Sequence, residues 1–155
     1  MIRYHFRPSV ILICETKTIN EIEILYNIAG YNMLTNNNQS NKGGLALYIK
    51  NNIPVIVKPE QTFTRNGSQT IFADQNTRSS ITTVGLVYKR SDDISNENFS
   101  IALEEIISSL DPNIKIYIMG DVYINLLDYS ISPPVGNVLN LMSRNFYPVI
   151  FAQLV

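Results

Sequence analysis

A chain of 155 residues, 45% hydrophobic and 16% charged, is long and apolar enough to pack one domain, which excludes a disordered chain. A net charge of −1 excludes the global electrostatic footprint of a nucleic-acid binder, so any contact with nucleic acid rests on local Lys and Arg or on a metal ion. One cysteine, Cys14, and one histidine, His5, exclude an internal disulfide, a cysteine-rich zinc site and a histidine-based triad other than one using His5.

No apolar run approaches the length of a membrane span. The opening MIRYHFRPS lacks the apolar stretch of a signal peptide, so a reducing, intracellular setting is expected. The first element is a short apolar strand over 9–14 (SVILIC), which ends in the acid Glu15. Residues 20–28 read as a helix, with Ile19, Ile22, Leu25 and Ile28 along one face and Gly30 as its stop. A strand over 31–35 and a polar loop over 36–42 follow. GLALYIK (44–50) alternates as a half-buried strand does, with Leu45, Leu47 and Ile49 on one face. Asn51-Asn52 turns the chain into a returning strand over 54–58. Residues 59–67 read as loop, 70–74 as strand and 75–79 as turn. SITTVGLVY (80–88) is β-branched and apolar, hence a strand, and 89–96 is a polar loop.

The clearest helix comes next. Phe99, Ala102, Leu103, Ile106, Ile107 and Leu110 form one stripe, with Ser95 or Asn96 as cap and Asp111-Pro112 as stop. The run around Ile114, Ile116, Tyr117, Ile118 and Met119 reads as a strand covered on both faces, ending in Gly120-Asp121. Ser132-Pro133-Pro134 is a loop. A second helix is expected over 135–144 with Val138, Leu139 and Met142 inward, then a strand over 147–155. Several strands with a few helices imply a mixed α/β domain, with sheet packed on sheet and helices outside.

Two carboxylates, Glu15 and Asp121, end two different strands. If those strands are neighbours, the acids meet at one mouth. Oxygen ligands without histidine or thiolate suit Mg²⁺ or Mn²⁺ rather than zinc. The competing readings are a solvated Glu15 and an Asp121 that only bonds its own turn. Cys14 reads as a small buried hydrophobe and Tyr88 as a strand aromatic with a wet hydroxyl.

Five stretches, in order, carry a resemblance: RPSVILICETK (7–17), GYNMLTNNNQSNKGGLALYIKNNI (30–53), TTVGLVYKR (82–90), IYIMGDVYINLLD (116–128) and NFYPVI (145–150). Together they resemble the endonuclease/exonuclease/phosphatase (DNase I-like) superfamily, most narrowly the endonuclease domain of non-LTR retrotransposons. The resemblance implies an α/β (α+β) fold, a four-layer sandwich of two mixed sheets packed face to face with outer helices, here an incomplete domain over 1–155. It implies Mg²⁺- or Mn²⁺-dependent hydrolysis of phosphodiester bonds in DNA, with retrotransposon target-site nicking as the ancestral reaction. Residue by residue, it makes Glu15 the metal ligand, Asp121 the group that orients or deprotonates water and Tyr88 the active-site tyrosine. Lys89, Arg90 and Lys42, placed in loops, become the grip on the DNA backbone. A reverse transcriptase is the implied ancestral partner domain, and the nucleus the implied place of action.

The chain departs from the family pattern in three places. No asparagine-bearing opening strand precedes the 9–14 strand. Gly120-Asp121-Val122-Tyr123 has tyrosine where the family's Gly-Asp-x-Asn has asparagine, and Asn125 lies two residues too far on. The family's closing segment, with an aspartate and an Asp-His pair, has no counterpart here. These departures imply a truncated, decayed copy that is inactive or nearly so. The alternative is a non-catalytic remnant with at most weak divalent-metal binding. A third reading is an active phosphoesterase completed by another chain. Strand edges stripped of their partners also imply a marginal, aggregation-prone monomer.

Overall fold

The computed structural model describes residues 7–17, 27–36, 43–65, 68–90 and 94–145. The expected helix over 20–28, except for its last residues, and the expected strand over 147–155 lie outside them.

Three strands form one sheet: β1 (Val10–Cys14), β2 (Tyr31–Asn36) and β3 (Leu45–Lys50), in the order β1-β3-β2, all antiparallel. β3 is central, and its two faces are both buried: Leu45, Leu47 and Ile49 at 0% exposure, Ala46 and Tyr48 at 2%. The alternation of GLALYIK gives side-chain direction, and the half-buried expectation fails because the Ala46 and Tyr48 face is covered as well as the face toward the larger sheet.

The second sheet has five strands. β4 (Val55–Val57), β6 (Ser68–Asn76), β7 (Ile81–Lys89) and β8 (Lys115–Asp121) run in that order, and the two-residue β5 (Thr64–Arg65) also pairs with β6. β6 and β7 make a long antiparallel hairpin across Thr77 and Ser80, whose side chains and backbone close the turn. β7 to β8 is the one parallel pairing among the described strands, and the helix α1 (Asn96–Ser109) is its crossover. The expected loop over 59–67 holds β5 and a 3₁₀ turn at Pro59–Gln61. The expected strand over 70–74 is longer at both ends, because the partner strand extends its ladder.

Two apolar layers follow from the two sheets. Between them, Leu45, Leu47 and Ile49 of β3 meet Ile71 and Ala73 of β6 and Val84, Leu86 and Tyr88 of β7. On the far face of the larger sheet, Phe72 and Val87 meet Phe99, Leu103, Ile106 and Leu110 of α1 and its C-cap. Val138 of α2 (Pro133–Asn145) completes that layer. The period-2 alternation of β6 and β7 separates these two sets residue by residue. Ser95 rather than Asn96 is the cap of α1: its hydroxyl accepts from the Asn98 N–H at 3.2 Å. α2 starts earlier than expected, with Pro133 and Pro134 as its first residues, where a missing N–H costs nothing. Its buried face is Val135 and Val138 with Leu141 and Met142 packed beside them; Leu139 is not part of that cluster.

β8 differs most from expectation. It is an edge strand, unpaired on its outer side among the described residues. Ile116 and Ile118 pack on the helix layer, whereas Tyr117 and Met119 on the opposite face are 48% and 51% exposed. The apolar run was read as covered on both faces; only one is covered, because on the other face β1 touches β8 but leaves Tyr117 and Met119 about half exposed.

Candidate functional site

β1, β7 and β8 all end at the same mouth. Glu15 follows the last residue of β1, Tyr88 is next to last in β7, and Asp121 closes β8. Tyr88 and Asp121 are paired in the parallel ladder and share the face that looks toward the smaller sheet. From that face the Tyr88 hydroxyl donates to Glu15 Oε1 at 2.5 Å, a charge-assisted length. This bond joins the two sheets at the site. The Asp121 backbone also bonds the Cys14 thiol, so β1 and β8 are in contact beside the two acids.

Backbone strain marks the same place. Among the described residues, the non-glycine residues at positive φ are Glu15 (56°), Lys17 (51°) and Tyr123 (40°), and all three lie at or beside the mouth. Such conformations cost about 1 kcal/mol or more each and persist where the surroundings impose them. Tyr123 is 54% exposed. The charges of Glu15 and then Asp121 raise its phenol pKa. In the sequence it stands out only as the tyrosine where the resemblance expects an asparagine. The signal that would have found it is its position two residues after Asp121, at a turn that an aromatic residue enters only under constraint.

Burial first, and then the Glu15 hydrogen bond and charge, raise the Tyr88 phenol well above its ordinary value. Burial also pushes the Cys14 thiol up to about 11, helped by the charges of Asp121 and Glu15 and opposed by the Asp121 backbone hydrogen bond. Cys14 is therefore a neutral thiol at neutral pH, neither a nucleophile nor a soft metal ligand. The donors left at the mouth are the two carboxylates. Among the described residues there is no group of three or more His, Cys, Asp or Glu side chains able to hold a metal ion. Two hard carboxylates fit a cation such as Mg²⁺, which commonly takes one or two carboxylates and fills its shell with water and phosphate oxygens.

The raised Tyr88 pKa has a testable consequence. The unfolded phenol ionises near its ordinary 10, the folded one only well above that. The stability this group contributes is complete below about pH 10 and is lost as pH rises toward the folded value. Tyr88→Phe is expected to cost about 1 kcal/mol at neutral pH, through the lost bond to an exposed carboxylate. It should also make the decline of stability above about pH 10 shallower than in the wild type. Urea midpoints at neutral pH and across the alkaline limb measure both effects.

The basic residues divide. Lys89 was expected in a loop facing DNA. It is instead the last residue of β7, 2% exposed, and alternation puts it on the face of Val87, toward the helices and away from Tyr88. Its Nζ donates to the Arg90 carbonyl at 3.4 Å. A buried ammonium on that side does not present itself to a phosphate at the mouth. Arg90 is half-buried just past the strand, and its charge acts on the Tyr88 phenol, so it stands beside the site. Lys42 and His5 lie outside the described residues.

Among the described residues no helix is long and apolar enough to cross a membrane. No family model matches the sequence. No curated protein matches it either. Among solved structures, the chain is similar to the endonuclease domain of TRAS1, a telomere-specific non-LTR retrotransposon, at a TM-score of 0.60 and 14% sequence identity. The match covers 76% of this chain and 53% of the other, so this chain spans about half the length of that domain. At this identity the likeness is one of fold. It agrees with the two-sheet α/β sandwich described above.

Proposed function

We propose that the mouth formed by Glu15, Tyr88 and Asp121 is a divalent-metal phosphodiester site of the endonuclease type, weak in metal affinity and feeble in cleaving DNA. The observation that carries this reading is the Tyr88–Glu15 hydrogen bond across the sheets, in register with Asp121. The fold likeness to a retrotransposon endonuclease domain supports it.

Glu15 and Asp121 would hold Mg²⁺ or Mn²⁺. When bound, the cation supplies neutralisation of phosphate charge and polarisation of the P–O bond. Asp121 is exposed and accepts a hydrogen bond or a proton from a water at the mouth. The Tyr88 proton is committed to Glu15, so Tyr88 orients that carboxylate; donation to a phosphate oxygen requires a change of partner. Arg90 sits where its charge favours an anionic backbone. DNA is the substrate on this reading, the nucleus the place of action and a reverse transcriptase the ancestral partner domain.

Feebleness follows from two features. The described site has only two carboxylate ligands. Tyr123 stands where the resemblance places an asparagine that holds the phosphate, and losing such a donor costs on the order of 10²- to 10³-fold in rate.

The test is nicking of supercoiled plasmid with Mg²⁺ and with Mn²⁺, alongside Mn²⁺ titration by electron paramagnetic resonance. Faint nicking and weak Mn²⁺ binding are expected in the wild type, and loss of both in Glu15→Ala and in Asp121→Ala. Tyr123→Asn is expected to raise nicking by about tenfold or more. The second reading, a non-catalytic remnant, is favoured by the absence of a three-ligand group among the described residues. It requires a folded Tyr123→Asn protein that still leaves the plasmid intact.

A further inference from the structure

Gln69 is a polar side chain at 2% exposure, and nothing in the chemistry above uses it. It is the direct cross-strand partner of Tyr88 in the β6–β7 hairpin, so both side chains stand together on the face toward the smaller sheet. Each reaches across the gap between the sheets. Tyr88 takes the Glu15 carboxylate. Gln69 Oε1 accepts the Gly44 N–H at 2.7 Å, while its amide nitrogen donates to the Asn36 carbonyl and to Thr64 Oγ1, both at 3.4 Å.

Gly43 and Gly44 are the next link. Their carbonyls accept from the backbone N–H groups of Lys17 (2.8 Å) and Thr16 (3.2 Å), the two residues that follow Glu15. Both glycines sit at positive φ, 82° and 93°, where a side chain is strained. A Cβ on Gly43 would collide with Gln69 Oε1 and touch the Tyr88 ring edge at 3.5 Å; one on Gly44 would collide with Thr16 Oγ1. The amide, the glycine pair and the segment after Glu15 are therefore packed as one unit. The left-handed backbone of Glu15 and Lys17 lies at this contact, and nothing in the chemistry of either residue favours it.

We propose that Gln69 is a positioning residue for Glu15: through the Gly43–Gly44 pair it fixes the strained turn that presents the carboxylate to Tyr88 and to a divalent cation. The cation in this statement rests on the function proposed above; the Gln69–Glu15 linkage does not. Tyr88 and Gln69 form a two-point clamp, one point on the carboxylate and the other on the backbone that carries it. Removing the second point leaves Glu15 in the chain but free to swing away from the first.

The test uses the full chain labelled with ¹³C at the tyrosine ring carbon bearing the hydroxyl, with the Tyr88 resonance assigned by Tyr88→Phe. Gln69→Met removes the amide at similar length. Gln69→Asn, one methylene shorter, keeps the amide in case the first variant does not fold. Ser109→Ala removes a hydrogen bond from Gln61 on the helix side and serves as the control for general loosening. In a folded Gln69 variant the Tyr88 resonance at neutral pH is expected to move away from its wild-type position toward that in Glu15→Gln, as the carboxylate hydrogen bond is lost. Ser109→Ala leaves it in place. Mn²⁺ affinity is expected to drop about tenfold in the Gln69 variant. A Tyr88 resonance that stays at its wild-type position in the folded Gln69 variant, or that moves equally in Ser109→Ala, overturns the proposal. If Glu15→Gln leaves Mn²⁺ binding unchanged, the metal reading fails, while the Tyr88 resonance still decides the role of Gln69.

Discussion

Gly120→Ala is expected to abolish the native fold or to leave a protein recovered only as aggregate. Gly120 lies in β8 directly opposite Val87 of β7 in the parallel ladder. A Cβ added there would fall on the Val87 carbonyl, with the carbonyl carbon at 2.8 Å and the amide nitrogen at 3.2 Å. These are backbone atoms of a central strand, so no rotamer change relieves the clash. Either β8 lifts from β7 or β7 bends away from the helix layer. The cost is about 4 kcal/mol or more, against a total stability of about 5–15 kcal/mol for a domain of this kind. Because β8 is an edge strand, separation is the less costly route, and it carries Asp121 out of register with Tyr88. Circular dichroism and a thermal melt of the purified variant check this. A cooperative melt within a few degrees of wild type would contradict the close approach of β8 to β7.

Phe72→Ala is expected to cost about 3–5 kcal/mol, and its partner Gly85 makes the effect diagnostic. Phe72 is fully buried in the layer between the larger sheet and the helices, beside Val87, Phe99 and Leu103. Its ring lies across Gly85, its direct partner on β7: a Cβ there would meet the ring at 2.6 Å (Cζ) and 2.7 Å (Cδ1). The glycine leaves a gap in the strand surface and the ring fills it. Gly85→Ala alone should therefore destabilise by about 1–3 kcal/mol through overpacking. In the Phe72→Ala background the same change meets no ring and recovers part of the loss. Urea denaturation of the four proteins gives the coupling, which should have the sign of mutual relief. Additive losses would mean that the ring does not rest on Gly85.

The site was legible in the sequence in pieces. Glu15 and Asp121 were recognisable because each follows an apolar run that turns sharply into polar chain; Tyr88, by itself a strand aromatic with a wet hydroxyl, was singled out only by the resemblance. Their juxtaposition was not legible, since it depends on strand order. Lys89 was misread for a related reason. It adjoins Arg90 in sequence, but one step along a strand reverses the side chain, so Arg90 stands near Tyr88 while Lys89 is buried under the helices. Gln69 carried no signal: a lone glutamine in a strand has the same appearance whether it faces water or a glycine turn on another sheet.

The sequence by itself determined the local elements. The stripe from Phe99 to Leu110 and the Ser95 cap specify α1 through contacts a few residues apart. The alternation of β6 and β7 separates Ile71, Ala73 and Leu86 from Phe72 and Val87. Only the tertiary structure decided which set meets the other sheet, that β8 is an edge with Tyr117 and Met119 uncovered, and that Glu15, Tyr88 and Asp121 share a mouth. The physical reason is the range of the interactions. Helix stripes, caps and alternation are set by backbone periods of 3.6 and 2 residues and are written in neighbouring positions. The mouth is held by a hydrogen bond between residues 73 apart in the chain and by a ladder closed through a helical crossover, and no local pattern encodes either.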